Sequence, residues 1–276
     1  MFGAILVGAV MALADSVKQL FYSVRVVTGT NDEAQTYYAV TGAPATFNEW
    51  MKKYNVPARQ PGESLDAYRR RAQIAVFYNE NELGLGRELG CSTFQDIGPT
   101  GVSQPGLACF VTNYGERFKD GDKALADAVA GTHAKDTFTH VYAPSSTPVP
   151  LGGTVPLYAV QFWSYSAENG RRQDWAALDN LGHRPIPMIC SNCHGGTYDS
   201  IDHLVIGGQF TPINTSILTF SGAPGYTLAD QEARIAHLNT LMATIPYCKT
   251  SGQARINPVL RSPSRGFPEA RSGSGP

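Results

Sequence analysis

The chain has 276 residues, which is enough for one large domain or two small ones with a substantial buried core. Its net charge is −1, so the chain lacks the excess of basic residues that is typical of proteins that bind nucleic acid. Charged residues make up 16% of the chain, a low fraction that is expected of a secreted, loop-rich protein. Composition therefore gives no support to a nucleic-acid partner.

The N-terminal sequence MFGAILVGAVMALADS contains an apolar run from Phe2 to Ala14, which is too short to span a membrane as a stable helix. The run ends in ALA, a small-x-small pattern that signal peptidase can cut, although no basic residue precedes Lys18. We interpret residues 1–14 as a signal-peptide remnant, with a buried helix as the alternative, and expect a periplasmic or secreted protein. No other stretch is long and apolar enough to predict a transmembrane segment.

Short predicted helices and strands follow one another in the first half of the chain. FYSVRVV is typical of a strand, and Thr46 is suited to cap a short helix over FNEWMKKY. Ser64 opens SLDAYRRRAQIAVFY, where apolar residues recur at helical spacing. The glycine-rich stretch NENELGLGRELGC predicts irregular structure, LACFVTNYG a strand, and KDGDKALADAVAG an amphipathic helix.

Two further strands are predicted in the second half, over DTFTHVYAP and over TVPLYAVQFWSYSAENG, which ends in an Asn-Gly turn. WAALDNLG predicts a short helix, and mostly loop is expected in the stretch that ends at Phe220. A clear helix is predicted from Thr227, a suitable N-cap, to Thr244. Residues 261–276 have no apolar periodicity and are expected to form a disordered tail.

Two of the five cysteines, Cys91 and Cys109, flank the glycine- and proline-containing segment STFQDIGPTGVSQPGLA. Disulfides form in exported proteins, and a bridge here would close this segment and stabilise the protein by roughly 3 kcal/mol. We therefore predict a Cys91–Cys109 disulfide, with two buried thiols as the alternative. Cys248 is left without a predicted partner.

The sequence CSNCH, residues 190–194, is the most specific pattern in the chain. From the numbers of cysteines and histidines, chance would give about 0.002 such patterns in a chain of this length. Covalent haem attachment explains the spacing, because each haem vinyl group takes one thiol as a thioether and the next residue then lies under the iron. Cys190 and Cys193 are therefore the candidate attachment sites of one haem c, and His194 is the candidate proximal ligand of its iron.

Two other kinds of site also contain paired cysteines. Structural zinc needs four ligands, usually from two such knuckles, and a second CxxC is absent, so Cys190, Cys193 and His194 would need one remote ligand. A thioredoxin-like redox pair would follow a strand at the start of a helix. Here RPIPM precedes the motif, and Gly195-Gly196 follows it, which removes side chains where a flat macrocycle needs close approach.

The chain resembles a group of bacterial, export-targeted proteins described as cytochrome c domain proteins, most of them uncharacterised. The matching stretches cover most of residues 37–245: AVFYNENELGLGRELGC, ACFVTNYG, QFWSYSAENG, LDNLGHRPIPMICSNCHGG and FTPINTSILTFSGAPGYTLADQEARIAHLN. The resemblance implies haem c on Cys190 and Cys193 with His194 as proximal ligand, and it implies no reaction. Relatives have a histidine immediately before the cysteine that corresponds to Cys91, where this chain has Gly90.

An electron-carrying haem iron usually has a second axial ligand, histidine or methionine. In the strand TFTHVYAP, alternation places His140 on one face between Phe138 and Tyr142, and an imidazole on a buried face needs a partner. We therefore predict His140 as the distal ligand. Met242 and His203 are alternatives, and the remaining candidates are weaker: His133, His183, His237 and Met188.

These observations predict an α+β fold in which short helices and antiparallel strands, joined by long irregular loops, surround a single covalently bound haem c. One cytochrome c-type domain is expected over residues 15–260. The first functional hypothesis is an exported carrier of single electrons that meets a redox partner protein and needs no catalytic residue.

The size of the chain is large for a simple shuttle, which supports a second hypothesis. This is a haem enzyme or sensor with an open distal site for peroxide or a gas, where Arg87, Arg184 and Trp163 are available polar or aromatic groups. A zinc or disulfide binding module is a third hypothesis.

Overall fold

The computed structural model describes residues 30–97, 103–144, 158–178 and 182–245. Residues 1–14, the predicted strand FYSVRVV, Cys248 and the tail 261–276 lie outside the described residues. Within the described ranges the fold is mixed α+β, with short helices packed on antiparallel sheets.

Six α-helices occupy the described ranges, and one turn of 3-10 helix covers Thr215–Ile217. They are α1 (Asn31–Thr41), α2 (Phe47–Lys53), α3 (Leu65–Arg71), α4 (Gly121–Ala130), α5 (Met188–His194) and α6 (Leu228–Ala243). No helix in this part of the chain has the length and apolar character needed to cross a membrane.

The main sheet has six antiparallel strands in sequence order, and two small two-stranded sheets lie beside it. The six strands are β1 (Ala75–Tyr78), β2 (Gly86–Ile97), β3 (Ser103–Tyr114), β4 (Ala134–Pro144), β5 (Tyr158–Ser166) and β6 (Arg172–Gln173). The small sheets pair β7 (Trp175–Ala176) with β8 (Arg184–Pro185), and β9 (Thr197–Asp199) with β10 (Leu204–Ile206).

Three of the helices have a threonine at the N-cap position. Thr30, Thr46 and Thr227 each accept a hydrogen bond from the third helical N–H, and the acidic side chain at that position bonds back to the threonine N–H. Such capping boxes satisfy two donors that a helix start leaves unpaired. The predicted helix starts at Thr46 and Thr227 are confirmed, whereas α1 was not predicted.

Three predictions of local structure are wrong. The helix that opens after Ser64 ends at Arg71, and AVFY forms the fully buried strand β1, after a left-handed residue at Gln73 (φ 54°) has reversed the chain. In the glycine-rich stretch before Cys91, residues 79–85 form turns and irregular chain as predicted, but residues 86–91 form the first half of β2. In WAALDNLG the first two residues pair as β7, and no helix forms in the described part.

Strand register assigns side chains to the two faces of the main sheet. Cys109, His140 and Phe162 lie directly opposite one another on β3, β4 and β5, so they share the face that we call the front face. Phe110, one residue on, lies on the back face and packs against Phe47 of α2. The CxxCH helix α5 approaches the front face, where the ring of His194 contacts Phe162.

The predicted disulfide is confirmed. Cys91 and Cys109 are opposite each other on β2 and β3, with Cα atoms 4.0 Å apart and the sulfurs bonded. Much of the segment between them continues these two paired strands and is not an independent loop. A structural disulfide is compatible with an oxidising, extracytoplasmic compartment.

We expect the double variant Cys91→Ala/Cys109→Ala to lose about 3 kcal/mol of unfolding free energy, because the bridge closes a loop of this length in the unfolded chain. Urea unfolding followed by circular dichroism measures the change. Wild-type protein treated with reductant is the control and should show the same loss. A double variant as stable as the oxidised wild type would contradict the prediction.

Candidate functional site

The CxxCH motif forms the body of helix α5. In a helix, residues three and four positions apart share one face, so Cys193 and His194 lie on the same face as Cys190. Pro187 is the N-cap residue of this helix, and its carbonyl oxygen accepts the N–H of Cys190. One side of a seven-residue helix therefore presents two thiols and an imidazole together.

These three side chains line a cavity of about 410 Å³ between α5 and the front face of the sheet. This volume lies within the range of small-molecule and cofactor sites. The sheet supplies an apolar wall from β1 to β4, and α6 supplies Met242. Apolar lining residues include Phe77, Leu89, Val111, Phe138, Ile189 and Phe210.

His194 is held in an orientation suited to metal ligation. Its Nδ1 lies 3.1 Å from the carbonyl oxygen of Gln209, so Nδ1–H is the donor of this bond and Nε2 keeps its lone pair. Thr211 Oγ1 lies 3.4 Å from the same Nδ1. The ring remains partly accessible through the cavity, yet burial lowers the pKa of His194 to about 4. The imidazole is therefore neutral at neutral pH, the form that binds a metal.

His140 projects from β4 into the same cavity. The side chain is buried, and its contacts are with the rings of Phe162, Phe210 and His194. No hydrogen-bond partner for its ring nitrogens is found among the described residues. Burial, followed by the nearby His194 and the positive charge of Arg87, holds the pKa of His140 well below its ordinary value. A neutral imidazole that is buried without a partner has a lone pair available to a ligand.

The two imidazoles are neighbours, as two axial ligands of one iron would be. Their centroids lie 4.1 Å apart with the ring planes at 61°. With metal–nitrogen bonds of about 2 Å, two imidazoles on opposite sides of one ion have centroids roughly 6 Å apart. The residue types and their orientation fit two axial ligands, but binding between them requires the rings to separate by roughly 2 Å.

The two thiols are reduced and differ in environment. Cys190 is buried and Cys193 is exposed, and neither is in a disulfide. Burial raises the pKa of the Cys190 thiol, which opposes formation of the thiolate needed for disulfide exchange. The motif does lie on a helix that follows a short strand, so position alone does not exclude a redox pair. The buried thiol of Cys190 stays protonated, and this disfavours a redox pair.

The cavity distinguishes among the other predicted distal ligands. Met242 lines it, but His203 lies in the turn between β9 and β10 and bonds to the hydroxyl of Tyr198 at 2.9 Å. The remaining candidates lie outside the cavity lining: His133 pairs with Asp127, His183 stacks on Trp175, His237 is exposed on α6, and Met188 is buried at the start of α5.

The glycines after the motif have different surroundings. A Cβ added at Gly196, where φ is +82°, would lie 2.7 Å from the backbone nitrogen of Gly208 and 2.8 Å from Val205. At Gly195, where φ is +68°, the nearest such atom is 4.0 Å away. Gly196 therefore makes room for the neighbouring chain, a reason for glycine that does not depend on a macrocycle.

Two further groups proposed from the sequence can also be placed. Arg87 lines the cavity. Trp163 is buried on the back face, where its indole N–H donates to Thr41 at 3.0 Å, and Arg184 lies on β8 outside the cavity lining. Within the described ranges no group of three or more His, Cys, Asp or Glu side chains is placed to hold a metal ion.

Comparisons of the chain with protein-family models, with curated proteins and with solved structures find no match. Interpretation of the cavity therefore depends on its own residues. The structure brings together Cys190, Cys193, His194 and His140, the four leading site residues from the sequence, and the sequence alternatives Arg87 and Met242 line the same cavity.

We expect Gly196→Ala to lower the unfolding free energy by roughly 1–3 kcal/mol more than Gly195→Ala, because only the first adds a clash to the strain of a positive φ. Urea midpoints of the two variants measure the difference. Gly195→Ala is the matched control, since it has a similar φ and open surroundings. Equal stabilities would show that the contact with Gly208 is unimportant.

Proposed function

We propose that the protein is an exported c-type cytochrome that carries single electrons through one haem attached covalently to Cys190 and Cys193. The observation that carries the proposal is the shared cavity: the CxxCH face of α5 and the unpartnered imidazole of His140 meet in one mostly apolar space. The resemblance to bacterial cytochrome c domain proteins, seen in RPIPMICSNCHGG above all, supports the same assignment.

Attachment depends on the geometry of α5. Haem c supplies an iron that changes between ferric and ferrous states, held by thioether bonds between its vinyl carbons and two thiols. Cys190 and Cys193 present those thiols on one helix face. His194 is the proximal ligand, because its Nδ1–H is engaged by Gln209 and its Nε2 remains available.

His140 is the preferred second axial ligand. It is fixed in the middle of a long strand, and its ring nitrogens have no other partner among the described residues. Met242 also lines the cavity, but a methionine in the apolar stripe of a helix is fully accounted for by packing. His203 lies outside the cavity lining, which makes it a weaker candidate than His140.

The surroundings suit electron transfer rather than chemistry on a substrate. Apolar side chains from four strands form much of the cavity lining, and a low dielectric favours the less charged state of the iron. Because Cys193 is exposed, a macrocycle attached to it would have one edge near the protein surface, where a redox partner protein could dock. The disulfide between β2 and β3 and the signal-like N-terminal sequence support a periplasmic or secreted location.

One observation favours the alternative function, a haem enzyme or sensor with an open distal site. Arg87 lies in the cavity lining, and its positive charge is close enough to affect both histidines. A distal arginine can stabilise a bound anionic ligand. The coordination state of the iron separates this alternative from the electron carrier.

The first test is covalent attachment. After periplasmic expression, wild-type protein should retain its haem through acid–acetone extraction, and its mass should exceed the polypeptide mass by one haem. Cys190→Ala/Cys193→Ala should lose this mass, because both thioether sulfurs are gone. Cys91→Ala/Cys109→Ala removes the two cysteines of the disulfide, which lie outside the CxxCH motif, and should keep the haem. Complete extraction of haem from the wild type would refute the proposal.

The second test concerns His140. If it binds the iron, the ferric protein is low spin, and His140→Met should remain six-coordinate with a higher reduction potential, because a thioether stabilises ferric iron less than imidazole does. His140→Ala should become high spin and bind added imidazole. Absorption spectra and redox titration report both changes.

The controls for this test are Met242→Ala and His203→Ala, which should leave the spectrum unchanged. If instead Met242→Ala becomes high spin while His140→Ala is silent, the assignment of His140 is wrong and Met242 is the ligand. A wild-type protein that is already high spin, with His140→Ala silent, would support the open-site enzyme or sensor.

A further inference from the structure

A row of three polar residues crosses the front face near the CxxCH cavity. Arg87, Asn113 and Asp136 are directly opposite one another on β2, β3 and β4, so their side chains share that face. Arg87 and Asn113 line the cavity. Polar residues at this position contrast with the apolar side chains that form most of the wall.

The hydrogen bonds of this row are incomplete. Asn113 donates through Nδ2 to Asp136 Oδ1 at 2.7 Å, but its own Oδ1 is buried with no partner among the described residues. Arg87 Nε is likewise buried without a partner there. A buried polar atom without a hydrogen bond is destabilising, so such atoms in native proteins usually meet a ligand or water.

The charge of Arg87 is also poorly compensated. Its ion pair with Glu82 is long, 3.8 Å from Nη1 to Oε2, and the Glu82 side chain is 39% exposed. Asp136 is held by Asn113 rather than by Arg87, and burial raises the pKa of this carboxyl. A guanidinium keeps its proton in proteins, even though burial lowers the pKa of Arg87. Among the described residues that line the cavity, Arg87 is the one with a guanidinium, and Glu82 lines the cavity beside it.

We propose that Arg87 binds a carboxylate of the cofactor, a haem propionate, and so fixes the orientation of the macrocycle against β2. The inference rests on the proposed function, because propionates are the anionic groups that haem would bring into this cavity. A guanidinium suits the task, since its planar N–H groups can donate two parallel bonds to one carboxylate. Asn113 lies between Arg87 and Asp136 and donates a hydrogen bond to the Asp136 carboxyl group. Asp136 is therefore held away from the guanidinium, which stays available to the propionate.

The test uses haem-loaded full-length protein and resonance Raman spectroscopy, whose propionate bending band moves to lower frequency when hydrogen bonds to the carboxylate are lost. Arg87→Gln should shift the band downward, and Arg87→Lys, which keeps the charge without the planar pair of donors, should shift it less. Haem content should not fall, because the thioethers hold the haem. Arg70→Gln, which alters an exposed arginine on α3, is the matched control and should leave the band in place.

The outcomes separate this inference from the proposed function. If wild-type protein acquires no covalent haem, both the cytochrome assignment and the role of Arg87 are overturned. If haem is attached and the band is the same in wild type, Arg87→Lys and Arg87→Gln, the propionate assignment alone is wrong. An unchanged band together with a weakened affinity of Arg87→Gln for added cyanide would overturn it in favour of a distal ligand-binding role.

Discussion

One buried charge determines how the strands are arranged around the cavity. Arg69 is completely buried, donates to Glu88 at 2.6 Å, and also donates to the carbonyls of Ala128 and Val129 and to the hydroxyl of Tyr226. It thereby joins α3, β2, α4 and the segment before α6. Breaking such a pair would leave an uncompensated buried charge, at a cost of about 3–5 kcal/mol. Since a one-residue slip exchanges the two faces of a strand, holding Glu88 on the back face keeps its neighbours on the cavity side.

The elements predicted correctly are those whose signals are local. Helix α6 has the capping threonine at its start and regular apolar spacing, and β4 alternates clearly. Strand β2 was missed because its glycines serve contacts distant in sequence: a Cβ at Gly86 would meet Ala124 of α4, and one at Gly90 would meet Phe110. The start of α1 did have a readable signal, the capping box at Thr30.

The candidate site shows the same division between local and distant information. The motif spacing is enough to place two thiols and His194 on one helix face, and strand alternation is enough to aim His140 at a buried surface. Neither pattern reveals that the two histidines meet, since they are 54 positions apart and come together through the packing of α5 on the sheet. The position of Arg87 in the cavity lining could not be predicted either, because it depends on the pairing register of β2, a strand that was not predicted.

The edges of the main sheet have a consequence for association between copies of the chain. At β1, the amide of Gln231 from α6 bonds both the N–H and the C=O of Val76, and Thr219 bonds both backbone groups of Tyr78. At β5, where β6 covers only two residues, the Phe162 N–H donates to the Tyr37 hydroxyl. Side chains and a loop thus occupy positions that an incoming strand would need. Growth of the sheet by strand addition, a common beginning of aggregation, is obstructed on both sides.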